Sequence, residues 1–320
     1  MLTNWDTHKF GFAALLAIGL TLTPSMAQES ADAAAESQAQ TSAAVADLIE
    51  DEATSQVDKR RKELIADADT ALKKTEEALT ALDEGDTKKA LDALAIATGK
   101  LELVVARDPD LALAPVDVEL IRRDVLGDVG TIRKAREEIE DLIDDGSIQA
   151  ARPLMRAFAS ELVVETTHLP LATYPAAIKL ATAQIDEDVE AAKQTLRTAL
   201  STVVVTEDAI ALPVLRAELM LQAAEQALNG EDEAAEASSD GDKAEAAEAI
   251  EPVTYVEAAR TQLEMAEALG YGTEDDFAEL RKDLEELDRQ IEVEEDTGGV
   301  FRTISENFEA LKDRLFGDAS

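Results

Sequence analysis

The sequence predicts a mainly α fold, an irregular helical-hairpin bundle, with room for one short two-stranded antiparallel β pair. Three observations support this. Apolar residues recur at helical spacing over most of the chain, and turn sequences such as DEGD and DDGS separate consecutive stripes. Hydrophobic residues make up 46% of the composition but aromatics only 3%, so much of the apolar content is alanine, which suits closely packed helices. Only two stretches break the helical period with β-branched residues: Leu162 to Leu171 and Val203 to Pro213.

The chain opens with a polar segment, the apolar run Phe10 to Thr23 and the small-residue site Ser25, Met26, Ala27. This reads as a secretory signal peptide over 1–27, cleaved after Ala27, and predicts a periplasmic protein. Its apolar run is too short for an ordinary bilayer span, and no stable membrane insertion is expected. With no cysteine in the sequence, disulfides, thiolate catalysis and cysteine-ligated zinc are excluded. The formal net charge of −39 argues against nucleic acid as a partner, because such binding depends on cationic residues displacing counterions.

Residues 28–58 lack a sustained apolar stripe and are expected to form a flexible leader. A helical-hairpin core is expected over 59–228. Its first stripe is Leu64, Ala68, Leu72, Thr75, Leu79 and Leu82, and its second is Leu91, Leu94, Thr98, Leu101 and Val105. Between them, Gly85 suits the left-handed C-terminal position of one helix and Asp86 the cap of the next. Ile139, Leu142 and Ile143 precede DDGS, with Ala151, Leu154, Met155 and Phe158 beyond it, and a third hairpin surrounds Gln184 to Glu190.

The two β-branched stretches flank that third hairpin and are expected to pair across it. The segment HLPLATYPAAIK, His168 to Lys179, then becomes a strand-to-helix corner, with Thr173 or Tyr174 at the cap and Pro175 in the first turn. Between Asn229 and Pro252 nine acidic residues stand against Lys243 alone, predicting an exposed, disordered acidic insertion over 229–252. C-terminal helices are expected to pack on the core over 253–316. The stripe Phe277, Leu280, Leu284, Leu287, Ile291 follows a capping-box-like pair, Thr273 and Asp276, and is assigned to internal packing. A last amphipathic helix carries Phe301, Ile304, Phe308, Leu311 and Leu315.

Catalytic signals are sparse. After removal of the signal peptide one histidine remains, His168, so no two-histidine zinc motif can form and a Ser-His-Asp arrangement would have to use it. No GxSxG elbow, phosphate loop or EF-hand spacing is present, and carboxylates are too abundant for any pair to stand out. No catalytic residue, cofactor or metal ligand is assigned. His168 and Tyr174 are the candidates for interface or pH-sensing duty, against a structural role for both.

In order, LTALDEGDTKKALDAL, TGKLELVVARDPDLALAPVDV, HLPLATYPAAIK, LPVLRAEL and LEMAEALGYG resemble the YfdX family of secreted bacterial stress-associated proteins, over roughly residues 60–316. The resemblance implies a mainly helical periplasmic protein linked to stress, especially acid stress, able to self-associate and without an established enzymatic activity. It transfers no catalytic residue. Composition gives a separate reason to consider acid: the sequence pI is about 4.2, so acidification removes most of the self-repulsion. Three functions compete. The first is a non-catalytic stress protein that binds unfolded or envelope proteins or small amphipathic molecules, with pH-dependent homo-oligomeric assembly. The second is a helical scaffold for one specific envelope partner. The third is a carboxylate-based hydrolase.

Overall fold

A computed structural model describes residues 36–125, 127–230, 250–293 and 295–316. The expected signal peptide and most of the acidic insertion lie outside the described residues. The described helices are α1 (Ala46–Glu63), α2 (Ala66–Asp83), α3 (Thr87–Arg107), α4 (Val129–Asp144), α5 (Ile148–Ala157), α6 (Tyr174–Gln184), α7 (Val189–Leu200), α8 (Leu212–Asn229), α9 (Pro252–Leu269), α10 (Ala278–Glu292) and α11 (Gly298–Phe316). Three strands interrupt them: β1 (Leu113–Arg123), β2 (Glu161–Pro170) and β3 (Val204–Ala211). The fold is mainly α, with one antiparallel sheet in the order β1-β2-β3.

The predicted pair is β2 with β3, running from Glu161 opposite Ala211 to His168 opposite Val204. The sheet has one strand more than expected, because β1 pairs with the other edge of β2, from Leu113 opposite Pro170 to Arg123 opposite Glu161. The register slips between Pro115 and Asp117. Proline has no N–H to donate to a ladder, so it sits where the pairing is irregular.

The turns follow their sequences. Gly85 takes φ +82°, which costs an L side chain but not glycine, and the Asp86 carboxylate accepts from the Lys89 N–H at 2.9 Å. Gly146 takes φ +74° in the DDGS turn. In the third hairpin Asp188 caps α7, accepting from the Ala191 N–H at 3.1 Å. At the corner after β2, Thr173 is the N-cap and Pro175 stands in the first turn of α6. The Thr273 N–H and hydroxyl both donate to Asp276, at 2.8 and 2.7 Å, but the helix begins only at Ala278, so the pair closes a turn instead of opening α10.

Two hydrophobic clusters share the sheet. One joins α2, α3, α6 and α7 to Ala114 and Val116 of β1 and Leu169 of β2. Its α2–α3 seam is built from Ala68, Ala71, Ala78, Ala81, Ala90, Ala93 and Ala97, all buried, whereas Leu72 and Leu79 only flank it. The stripe is therefore rotated toward the alanines, since small side chains let the helix axes approach. The other cluster joins α1, α8, α9, α10 and α11 and takes in Leu162 of β2. Leu280, Leu284 and Leu287 meet Phe301, Ile304, Phe308 and Leu311 in this cluster, so both C-terminal stripes are spent internally.

Of the flexible leader expected over 28–58, residues 28–35 lie outside the described residues, and over 36–58 the chain is helical and joins this second cluster. Residues 36–44 are helical, α1 follows, and Val45, Ile49, Ala53 and Val57 are buried at a spacing of four. One small and three medium apolar residues per four turns make a thin stripe in polar sequence, and tertiary burial outweighs that polarity. Ile49→Ala is expected to lower the unfolding free energy by about 2–4 kcal/mol in urea titration. An unchanged midpoint would mean that α1 contributes nothing to the core.

Candidate functional site

The two residues singled out by the sequence occupy different environments. His168 lies in the middle strand, opposite Pro115 on one side and Val204 on the other. Its Nδ1 is buried and has no hydrogen-bond partner among the described residues. No hydrogen bond there joins it to a serine or a carboxylate, so a triad is not assembled around it among those residues.

Tyr174 is fully buried in the cluster of α2, α3, α6 and α7. Its hydroxyl lies near Thr75, but the Thr75 O–H donates to the Ala71 carbonyl at 2.8 Å, and the tyrosine makes no well-formed hydrogen bond of its own. Burial pushes the phenol from 10.0 up to about 12. An acid group whose folded value is raised stabilises the fold fully below its unfolded value and loses that contribution as pH rises through the folded one. The window here is alkaline, between about 10 and 12, so Tyr174 is no sensor of mild acid.

The polar groups that do converge lie at the other end of the sheet. Asp124, just past β1, accepts two hydrogen bonds from Arg216 of α8, at 3.2 and 2.5 Å, and one from the Ser160 hydroxyl at 2.6 Å. The Ser160 N–H donates to the Tyr271 hydroxyl at 2.8 Å, and the Ser160 carbonyl accepts from the Leu212 N–H at 2.9 Å. One buried serine thus links the start of β2 to α8 and to the segment after α9. Burial opposes ionisation of Asp124, but Arg216 and Ser160 outweigh it and hold the carboxyl below its ordinary 3.8.

Similar joints tie other elements. Asp67 of α2 accepts from Lys100 and Arg107 of α3 at 2.8 and 2.7 Å, and the Lys100 bond is the chief cause of its lowered pKa. Asp276 is held low first by the Thr273 N–H and also pairs with Arg314 of α11 at 3.0 Å. Arg60 of α1 reaches Asp208 of β3 at 2.6 Å. For Asp67, Asp124 and Asp276 the stabilisation is complete above 3.8 and is lost as pH falls through their depressed folded-state values. These joints therefore survive mild acid.

One surface stands apart. The hairpin of α4 and α5 rests on the body through α4, where Ile132 packs with Ala268 and Leu269 of α9 and Arg136 donates to the Glu267 carbonyl at 3.2 Å. In α5 only Ala151 is buried, while Ile148 is 59% and Met155 52% exposed, with Leu154 and Ile143 of the same hairpin also exposed.

Residues 71–209 match the family described as YfdX protein. The likeness to that family lies in this segment. The segment spans α3, β1, β2, most of β3 and the hairpins α4–α5 and α6–α7, together with the His168 to Lys179 corner, whereas LPVLRAEL and LEMAEALGYG lie beyond it. Among solved structures, the chain is similar to YfdX of Salmonella Typhi, at 15% identity and a TM-score of 0.34, covering 47% of this chain and 93% of that one. No curated protein matches the sequence. No described helix is long and apolar enough to cross a membrane.

Because its hydroxyl lacks a well-formed partner, Tyr174→Phe should leave stability at pH 7 unchanged or raise it by up to about 1 kcal/mol. The variant should also delay alkaline unfolding, read by circular dichroism between about pH 9 and 12. A clear loss of stability at neutral pH would show that the hydroxyl is bonded after all.

Proposed function

We propose that the chain is a non-catalytic YfdX-type protein of the periplasm that binds exposed surfaces of other proteins, and assembles with itself, as acid titrates its surface. The observation that carries this reading is the uncovered apolar face of the α4–α5 hairpin on a chain of net charge −39. At neutral pH the charge keeps such faces apart. Carboxylates of ordinary pKa are about half protonated near pH 4 to 4.5, and self-repulsion falls there. Asp67, Asp124 and Asp276, held below 3.8, remain ionised in that range, so the fold is kept while the apolar face becomes approachable.

The test is light scattering from an acid-labile client at about pH 4.5, with an unrelated acidic helical protein as control. The chain should suppress scattering beyond the control. Replacing Ile148 and Met155 together by Glu should remove most of that suppression without changing the helical signal, since both side chains are exposed. Equal suppression by chain, variant and control would defeat the reading, and recovery of one stoichiometric partner by crosslinking at neutral pH would favour the scaffold instead.

A further inference from the structure

Between α1, β3, α8 and α11 lies a cleft of about 520 Å³, within the range of sites for small organic molecules. Ile210, Leu215 and Leu219 give it an apolar lining. At one end Arg60 is committed to Asp208 at 2.6 Å. At the other, the Lys312 ammonium lies 3.1 and 3.3 Å from the two Glu218 oxygens and 2.5 Å from Glu309. Glu52 lines the same cleft and accepts from the Gln56 amide at 2.6 Å.

The Lys312 ammonium is therefore shared by two carboxylates, while Glu52 is bonded to Gln56 and Lys59 also lines the cleft. Burial pushes the Glu218 carboxyl up, Lys312 pulls it back, and repulsion from Glu309 and Glu52 adds to the rise. Across the lining Glu52, Asp208, Glu218 and Glu309 outnumber Lys59, Arg60 and Lys312 by one, in a partly dehydrated place where charges interact strongly. No group of three acidic or histidine side chains among the described residues is arranged to hold a metal ion. An apolar lining beside surplus carboxylate instead matches a molecule with a cationic head and a short hydrocarbon tail.

We propose that this cleft binds a small organic cation, a primary alkylammonium whose head joins Lys312 among Glu52, Glu218 and Glu309 and whose chain lies on Ile210, Leu215 and Leu219. The net charge of −39 draws such a cation in and repels an amphiphile headed by carboxylate. Most of the wall comes from α1, α8 and α11, outside the family-matching segment, and the inference does not depend on the acid-response reading.

Isothermal titration of the full chain at pH 7 with hexylammonium, hexanol and hexanoate tests it. Hexylammonium should bind at least about tenfold more tightly than either of the others, because only its head forms charge-assisted hydrogen bonds with carboxylates. Glu52→Gln should weaken it several-fold. Lys312→Ala, which removes the resident cation, should strengthen it, with circular dichroism confirming the fold. Absence of hexylammonium binding, equal binding of hexanol, or preference for hexanoate would overturn the proposal. If Lys312→Ala does not fold, an unchanged affinity in Glu52→Gln overturns it alone.

Discussion

The pairing of Asp124 with Arg216 is the constraint on which the rest of the molecule depends. The two hydrophobic clusters take the small sheet near opposite ends, at Ala114, Val116 and Leu169 and at Leu162 and Ala211, and three strands alone would bind two helical groups only loosely. Asp124 follows β1, Arg216 belongs to α8, and Ser160 immediately precedes β2, so one carboxylate fixes the exit of one strand, the entry of the next and the helix that leads into the second cluster. Both charged side chains are largely covered, at 16% and 19% exposure. Removing either would leave its partner without a counter-charge in a poorly hydrated place, a loss of about 2–4 kcal/mol for a pair that water still partly reaches.

This arrangement divides the carboxylates into two populations. Those at joints are held ionised by cations and by backbone or hydroxyl donors, as at Asp67, Asp124 and Asp276. Others lie on solvated helix faces and set the self-repulsion of the chain, although Glu77 and Glu286 there are also held low by hydrogen bonds from Lys74 and Arg289. The joint carboxylates keep their charge below 3.8, and on the proposed reading that margin would let the chain associate in acid before it unfolds. Glu218 runs against both groups: its carboxyl is pushed up by burial, so its ionised form is a cost at neutral pH that acid relieves.

Local features were legible wherever residue chemistry fixes a turn or a period. Gly85 and Asp86, the paired β-branched stretches, and Thr173 with Pro175 all took their expected places, because each depends on neighbours a few residues away. Strand β1 was not legible, since Pro115 interrupts a segment that otherwise alternates Val116, Val118 and Leu120. Nor was α1, whose stripe rests on Val45, Ile49, Ala53 and Val57 amid charged sequence. The polar node was beyond reach for a different reason: its hydrogen bonds join residues 36, 92 and 111 positions apart, and nothing in an acidic chain distinguishes Asp124 from dozens of other carboxylates. His168 and Tyr174 drew notice by their rarity, and the structure spends Tyr174 on the core.

The most direct test of the account follows sedimentation mass and far-ultraviolet circular dichroism together as pH is lowered from about 7 to about 2. Mass should rise between about pH 5 and 4, where ordinary carboxylates titrate, while the helical signal holds, and the signal should collapse only below 3.8, the ordinary aspartate value. Loss of helix before or together with any gain in mass would contradict the separation of the two carboxylate populations, and with it the claim that the joints outlast the surface charge.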